Sequence, residues 1–554
     1  MKATKRIFSV FLTCVLAFTM AFAMGLTASA ADYTITITKP EGDIDRTYEA
    51  YQIFQGNLSG NTLSDIEWGT GINGAAFLDE LKKNAPFTSC TDAKTVAEKL
   101  ATFENNSDGA VAFAKLAGKF LTTATGSATA TSSATGKITV PAAGYYLLKD
   151  VTDVTTPHDA LSLNILKVVQ DVEVNPKADH PSVDKKIGTD ISTGAAANTA
   201  TIGDKVPFVI KSNVPKMQGY TKYFFVLNDS MTAGLTYNKD VAIKIGATTL
   251  AADAYDVVYD DTANTMKIVI KNFIQYKSEA GKDIVVTYSA TLNEKADLTQ
   301  AGNKNTVKLT YSNNPNVDYK GDNEPDTTDP VGETPEHVTV TYSTKLQLTK
   351  VDGADPNEKL EGVEFQITGT SIKTAVSKGD YFKQDAAGTY YQLKDGTFTE
   401  TAPTAETGSK YVSTSVKYAK VTDTAEQTKM QKVTASGTTD ANGLITFEGL
   451  GAGTYYITEL KTKSGYNLLT APITVTITAA PSATGCSWTV STNAAFEDDM
   501  VKLTVENNKG SVLPITGGIG TTIFYVIGGL LVCGAVVMAI TKKKLSVEDK
   551  ADQN

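Results

Sequence analysis

The stretch KLQLTKVDG, Lys345–Gly353, and its counterpart KLTVENNKG, Lys502–Gly510, decide the reading of this chain. Both alternate with period two, as strands buried on one face do. Leu346, Leu348 and Lys350 share one face of the first. Leu503, Val505 and Asn507 share one face of the second. Alternation thus turns a lysine and an asparagine inward from sequence-distant strands. Between them, TYYITELKTKSGY carries Tyr455, Ile457 and Glu459 on one face. A buried lysine, asparagine and glutamate are costly unless they satisfy one another.

The same alternation recurs outward in YTITITK, VKLTYSN and ITVTIT. It predicts half-buried strands of antiparallel sheets. Helical periodicity is confined to short pieces near the start, GAAFLDELKKN and DAKTVAEKLATF. The expected fold is all-β, a tandem of immunoglobulin-like β-sandwich domains, the first with helical insertions. The sequence GKITVPAAGYYLLKD (136–150) echoes GLITFEGLGAGTYYITEL (443–460), hinting at related sandwiches. Aligning their Tyr-Tyr pairs sets Lys149 opposite Glu459 and turns Asp150 to the other face, so no internal bond is expected in the first domain.

The chain has 554 residues and a formal charge of −10, which opposes nucleic-acid binding. Cys14 and Cys533 lie in apolar terminal runs, and Cys90 and Cys486 fall in different expected domains, so no disulfide framework is expected. His158, His180 and His337 are scattered. No metal-ligand spacing, nucleophile–His–acid grouping or phosphate-binding glycine loop is visible, so no metal, no cofactor and no small-substrate enzyme is expected.

The first residues combine Lys2, Lys5 and Arg6, an apolar run and the small-residue site Ala28–Ala30. This is a secretory signal peptide, 1–30. At the other end stand LPITG (513–517), an 18-residue apolar run (Ile523–Ile540) and Lys542–Lys544. That run is long enough for one membrane crossing, with a cytoplasmic basic stop behind it.

This last layout resembles the LPxTG cell-wall sorting signal of Gram-positive surface proteins. The resemblance implies that a sortase thiol recognises Leu513, Pro514, Thr516 and Gly517, cleaves between Thr516 and Gly517, and passes the acyl group to an amine. YEAYQIFQGNLSG and IEWGTGINGAAFLDEL resemble the N-terminal domain of sortase-assembled major (backbone) pilins. VEVNPKADHP (172–181) is similar to the pilin motif, with Asn175 and Ala178 in place of the usual tyrosine and asparagine. The resemblance makes Lys177 the nucleophile that receives the next subunit's Thr516.

The Lys350, Glu459 and Asn507 set resembles the Cna-B type modules of adhesins and pilins, although Lys463 stands where those often have proline. The resemblance implies a spontaneous Lys350–Asn507 isopeptide bond beside Glu459 as catalytic acid. Burial favours the neutral amine that attacks the carboxamide and the neutral acid that polarises it. Folding itself brings the reactants together, and one ammonia leaves. In the middle domain, PSVDKKIG turns Val183, Lys185 and Ile187 to one face. NKNTVKLTYSNNP does so for Asn305, Val307, Leu309, Tyr311 and Asn313. YFFVLNDSMTAGLTY resembles the family strand that carries a catalytic aspartate, here Asp229. Family layout favours Lys185 to Asn305; Asn313 and a one-residue slip to Lys186 are the alternatives.

The domain expectation is then 1–30 signal peptide, 31–176 N-terminal pilin domain, 177–342 middle pilin domain, 343–510 Cna-B type domain, and 511–554 sorting signal with transmembrane helix and basic tail. TTATGSATATSSATG (122–136) is expected to be a flexible loop, and GDNEPDTTDPVGETPEH (321–337) a solvated one. The insertion KGDYFKQDAAGTYYQLKDGTFTETAPTAETGSKY (378–411) has no assigned role. The expected function is the structural subunit of a covalent pilus on the Gram-positive surface, secreted and wall-anchored. Its expected partners are sortase, identical subunits, minor pilins, peptidoglycan and a host receptor. A wall-anchored monomeric adhesin is the alternative.

Overall fold

The computed structural model describes residues 32–510, apart from 40–43, 60–61, 156–158, 169–170, 177, 370–373, 378–379, 394–396, 403–416, 425–426 and 428–435. The signal peptide, Lys177 and the whole sorting signal lie outside the described residues. No helix among the described residues is long and apolar enough to cross a membrane.

The first body is built around the long strand Arg46–Ser59. It pairs with Thr62–Trp68 on one side and Gly144–Asp150 on the other. A three-stranded sheet, Gly136–Val140, Tyr33–Ile37 and Val172–Val174, packs across one face, with Val172–Val174 running parallel to Tyr33–Ile37. Helices Gly74–Leu81, Ala93–Leu100 and Asp108–Ala117 cover the opposite face. Asn73, Asp92 and Ser107 cap their first turns, and Asp92 forms a capping box with Thr95. The third helix escapes the sequence pattern because DGAVAFAKLA is apolar almost all round.

Two expectations for this body change. Residues Gly126–Ala130 of the low-complexity stretch form a strand antiparallel to Arg46–Ala50. Their small side chains fit beneath the three-stranded sheet, where Ala130 is fully buried. Asp150 does not turn outward; it is buried. The strand Gly144–Asp150 has a core on both faces: Tyr146 and Leu148 pack toward the three-stranded sheet, Leu147 toward the helices. Asp150 shares the face of Tyr146 and Leu148, so an alignment that assumes one wet face picks the wrong side.

The middle body is a sandwich of two sheets. One runs Ala197–Thr199, His337–Tyr342, Asn303–Ser312, Phe225–Met231, Thr265–Ile270, Tyr255–Asp260. The other runs Thr248–Thr249, Ala242–Ile245, Asp283–Leu292, Lys205–Asn213, Asp184–Ile187. The acidic 321–337 stretch is more ordered than expected. Asp329 accepts from the amides of Lys320, Gly321 and Asp326, and Val331–Glu333 adds a short strand to Thr310–Ser312.

The third body is also a sandwich. One sheet runs Leu444–Leu450, Thr344–Asp352, Met500–Asn507, Ala495–Glu497; the other runs Ser436–Thr438, Glu364–Gly369, Gly453–Lys461, Ile473–Ser482, Gly485–Val490. The insertion contributes a separate sheet, Thr374–Ser377, Asp380–Gln384 and Tyr418–Val421, around stacked Phe382 and Phe398 rings 4.0 Å apart.

The bodies abut. His337–Tyr342 runs through buried Ser343 directly into Thr344–Asp352. The Ile202 amide donates to Gly449 O across that joint, and Tyr342 Oη donates to Ser482 O. Between the first two bodies, Leu161 N donates to Asn313 O and Asn313 Nδ2 to Asp159 O. Cys90 and Cys486 are both buried and free.

Candidate functional site: two buried lysine–asparagine centres

In the middle body Lys185 sits on the edge strand Asp184–Ile187, opposite Ile210 of Lys205–Asn213. Asp229 and Asn305 come from the facing sheet, where Met231 pairs with Asn305 and Asp229 with Val307. All three point into the gap between the sheets: Lys185 and Asp229 are 2 % exposed, Asn305 0 %. Lys185 Nζ lies 2.6 Å from Asp229 Oδ2 and also donates to Asn305 Oδ1. The Phe208 and Tyr288 rings flank the amine at 5.4 and 5.5 Å. Burial pulls the Lys185 amine down to about 8, against the opposing pull of Asp229. Burial also raises the Asp229 carboxyl, with Lys185 opposing. The two shifts bring the pair toward sharing one proton, the state from which a neutral amine can form.

Neither alternative lies in this cluster. Asn313 turns to Asp159 at the joint with the first body. Lys186 is partly exposed and pairs loosely with Asp184 at 4.0 Å.

In the third body Lys350 and Asn507 lie on neighbouring parallel strands of one sheet. Lys350 is in register with Val505 and Asp352 with Asn507. Glu459 reaches in from the opposite sheet. Lys350 is 0 % exposed, Asn507 1 % and Glu459 4 %. Lys350 Nζ donates to Val505 O at 3.1 Å. Asn507 Nδ2 donates to Glu459 Oε1 at 2.6 Å and to Thr462 Oγ1 at 2.7 Å. Glu459 Oε2 accepts from Leu469 N, which fixes the carboxyl. Burial brings the Lys350 amine down to about 8. Asn507 Oδ1 is buried with no partner among the described residues. A buried amine and an orphaned buried amide oxygen are each costly, and joining Lys350 to Asn507 would remove the amine's charge.

The two centres share chemistry and differ in layout. The middle one would join opposite sheets; the third would join neighbours in a single sheet. Two residues in contact with the amides were not singled out from the sequence, Tyr288 and Thr462. Tyr288 had a signal: Ile284, Val286, Tyr288, Ala290 and Leu292 alternate inward, and a phenol on an inner face needs a hydroxyl partner.

The first body holds a different buried polar group. Arg46, 1 % exposed, lies 3.3 Å from Asp150 and 3.4 Å from Asp159, and donates to Ala160 O at 2.6 Å. Tyr48 Oη donates to Asp150 Oδ2 at 3.3 Å. A guanidinium stays protonated, so this cluster has no amine nucleophile to offer. Among the described residues no group of His, Cys, Asp and Glu is arranged to hold a metal.

Residues 202–315 match the family described as Gram-positive pilin backbone subunit 2, Cna-B-like domain. Residues 344–491 match the prealbumin-like fold domain family. These two segments are thus similar to a Gram-positive pilin backbone domain and to a prealbumin-like domain. Asp229 and Asn305 fall within the first matched segment and Lys350 and Glu459 within the second, while Lys185 and Asn507 lie just beyond them. The trypsin-resistant surface T6 protein of Streptococcus pyogenes serotype M6 is 26% identical over 404 residues, covering 66% of this chain and 70% of the relative. The solved T6 backbone pilin of that organism superposes with a TM-score of 0.52 at 16% identity, covering 87% of this chain and all of that one, which shows a shared fold. The full-length major pilin SpaD of Corynebacterium diphtheriae matches with a TM-score of 0.46 at 16% identity, over 87% of this chain and 98% of its own.

Proposed function

We propose that this pilin-type chain is the repeating subunit of a covalent surface pilus, hardened by two self-made isopeptide bonds. The observation that carries the reading is the middle-body centre: an amine within hydrogen-bond reach of a carboxamide oxygen, with a carboxyl at its side, all excluded from water. In this reading Lys185 joins Asn305 with Asp229 as the acid, and Lys350 joins Asn507 with Glu459 as the acid. Each bond releases one ammonia. The neutral amine attacks Cγ while the neighbouring carboxyl carries protons between the attacking and departing nitrogens. The near-contact geometry set by folding replaces an external catalyst.

Polymerisation uses a separate pair. A sortase acylated by Thr516 passes its subunit to Lys177 of the next, and the last subunit goes to peptidoglycan. Lys177 lies outside the described residues, but both sides of it are anchored. Val174 and Pro176 are buried before it, and Asp179 accepts from the Lys216 amide after it. An amine offered between two fixed points suits attack on a large acyl-enzyme. The domains 31–176, 177–342 and 343–510 are the working units, preceded by a removed leader and followed by the sorting signal. Minor pilins and a host receptor are the further partners in this reading.

Intact mass of the recombinant ectodomain tests the internal bonds: a deficit of two ammonia units is expected, and a mass equal to the plain sequence would sink them. High-mass, SDS-resistant ladders on cells test the polymer. They are expected from the wild type and lost in Lys177→Ala; ladders that survive that change refute linkage through Lys177.

A further inference from the structure

Resting on the reading that Lys185 and Asn305 become joined, we infer that Tyr288 is a catalytic residue of the middle domain, relaying a proton from Asp229 to the departing nitrogen of Asn305.

The observation is a chain of contacts in a dry interior. Tyr288 Oη donates to Asp229 Oδ2 at 2.6 Å. Asn305 Nδ2 donates to Tyr288 Oη at 2.9 Å. Lys185 Nζ is 2.6 Å from the same Asp229 oxygen. The acid therefore touches the attacking nitrogen directly and meets the leaving nitrogen through one hydroxyl. In the third body the order differs: Glu459 Oε1 reaches Asn507 Nδ2 itself, at 2.6 Å, with no hydroxyl between. Aspartate is one methylene shorter than glutamate, and Tyr288 spans the missing length.

The contact can reverse when it must. A planar carboxamide nitrogen has its lone pair delocalised, so it only donates, as seen here. Once Cγ becomes tetrahedral, that pair is localised and the nitrogen can accept a proton. The steps balance as follows. The Lys185 ammonium gives one proton to the Asp229 carboxylate and becomes a neutral amine. Nζ attacks Cγ, and the carbonyl π pair moves to Oδ1. Asp229 passes its proton to the Tyr288 oxygen while the Tyr288 hydroxyl proton goes to Nδ2. The pair on Oδ1 re-forms the carbonyl, the Cγ–Nδ2 bond breaks, and ammonia leaves. The new amide nitrogen then returns its surplus proton to Asp229. The products are the Lys185–Asn305 amide, ammonia and neutral Asp229, with no outside reactant.

The phenol suits a relay rather than a permanent donor. Burial and the neighbouring Asp229 hold its hydroxyl far above the ordinary tyrosine range, so it does not rest as a phenolate. Its ring is packed at 5.4 Å against Phe208 and 6.2 Å from Tyr237. Tyr288→Phe keeps that packing and removes only the relay.

The test follows bond formation over time after refolding the ectodomain from denaturant, by mass spectrometry of the peptides carrying Lys185–Asn305 and Lys350–Asn507. Tyr288→Phe is expected to slow the first bond by roughly 100-fold or more, a usual loss for general acid–base catalysis, and to leave the second at the wild-type rate. An unchanged first rate overturns the relay. If the wild type itself never forms the first bond, the underlying reading fails instead, which the wild-type arm shows separately. Far-UV circular dichroism reports whether Tyr288→Phe has folded. Should it not fold, a fluorinated tyrosine placed at position 288 keeps the hydroxyl and nearly the same size while making it more acidic. A changed first rate then supports the relay, and an unchanged one overturns it. Adding Asp229→Glu to Tyr288→Phe gives a rescue arm: recovery of the first rate supports the missing-length argument, and no recovery overturns it.

Discussion

Lys350 is the plainest case of a side chain whose chemistry is set by where it is put. Before any bond forms, its amine sits near 8 when folded against 10.5 for the free group, because burial disfavours the charge. The sign of the linkage follows. The unfolded chain holds the proton more tightly, so protonation favours unfolding, and stability is lost as pH falls from about 10.5 to about 8. An Asn507→Ala chain, which cannot form the third-domain bond, should therefore show a urea midpoint that rises with pH across that window. A flat profile would refute the buried-amine account. In the linked wild type the amine is consumed and that dependence should vanish. At the same scale, Asn305→Ala removes the middle-domain link, which would close a loop of 120 residues. Loop-closure entropy puts the loss at about 5 kcal/mol, read as a lower thermal midpoint and as new trypsin cleavage within the middle domain.

At the scale of strands and sheets, alternation works where a sheet has one buried face and fails where it has two. Lys350, Asn507, Lys185 and Asn305 were legible because their strands read apolar-in, polar-out, and the structure puts each in an interior. Asp150 was misread because helices cover the far side of its sheet, so both registers look buried. The strand Gly126–Ala130 was invisible because GSATA has the composition of a loop and gains its order from the free edge of Arg46–Ala50. Arg46 was missed because nothing local marks a strand-end arginine as internal. Its partners Asp150 and Asp159 lie far along the chain. Removing one member of a buried ionic cluster leaves the others unpaired. Arg46→Ala should therefore destabilise the first body by about 3–5 kcal/mol, with a separate early transition in urea. Coincidence with the wild-type curve would show that water reaches the cluster.

Across the whole molecule the two proposed links have unequal mechanical consequences. Tension enters the third body at Thr344 and leaves after Asn507, and a Lys350–Asn507 bond carries it straight between neighbouring strands. Almost all of that body is bypassed. A Lys185–Asn305 bond would protect residues 186–304 but leave 306–342 in the load path, because Asn303–Ser312 continues to His337–Tyr342 before the joint. Single-molecule pulling on a linked middle–third pair should therefore show no long unfolding step. The largest extension should be no more than about 130 Å, the reach of 306–342 at roughly 3.5 Å per residue. Longer steps would mean that one bond is missing. The contacts of Asn313 with Asp159 and of Leu161 with Asn313 lie within that loaded segment, so the first body braces the part the bond leaves open.

Sequence by itself determined the things that depend on local order. These were the sheet-rich class, the inward-turned lysines and asparagines, and the basic, apolar and small-residue blocks at the two ends. Period-two alternation is a property of the strand alone, so it survives without knowing the partner strand. Only the tertiary structure decided which strand faces which. It paired Lys185 with Asn305 rather than Asn313, set one centre across two sheets and the other within one, placed Tyr288 between acid and amide, and turned Asp150 inward to Arg46. Those outcomes depend on contacts between residues far apart in the chain, and local periodicity carries no information about them.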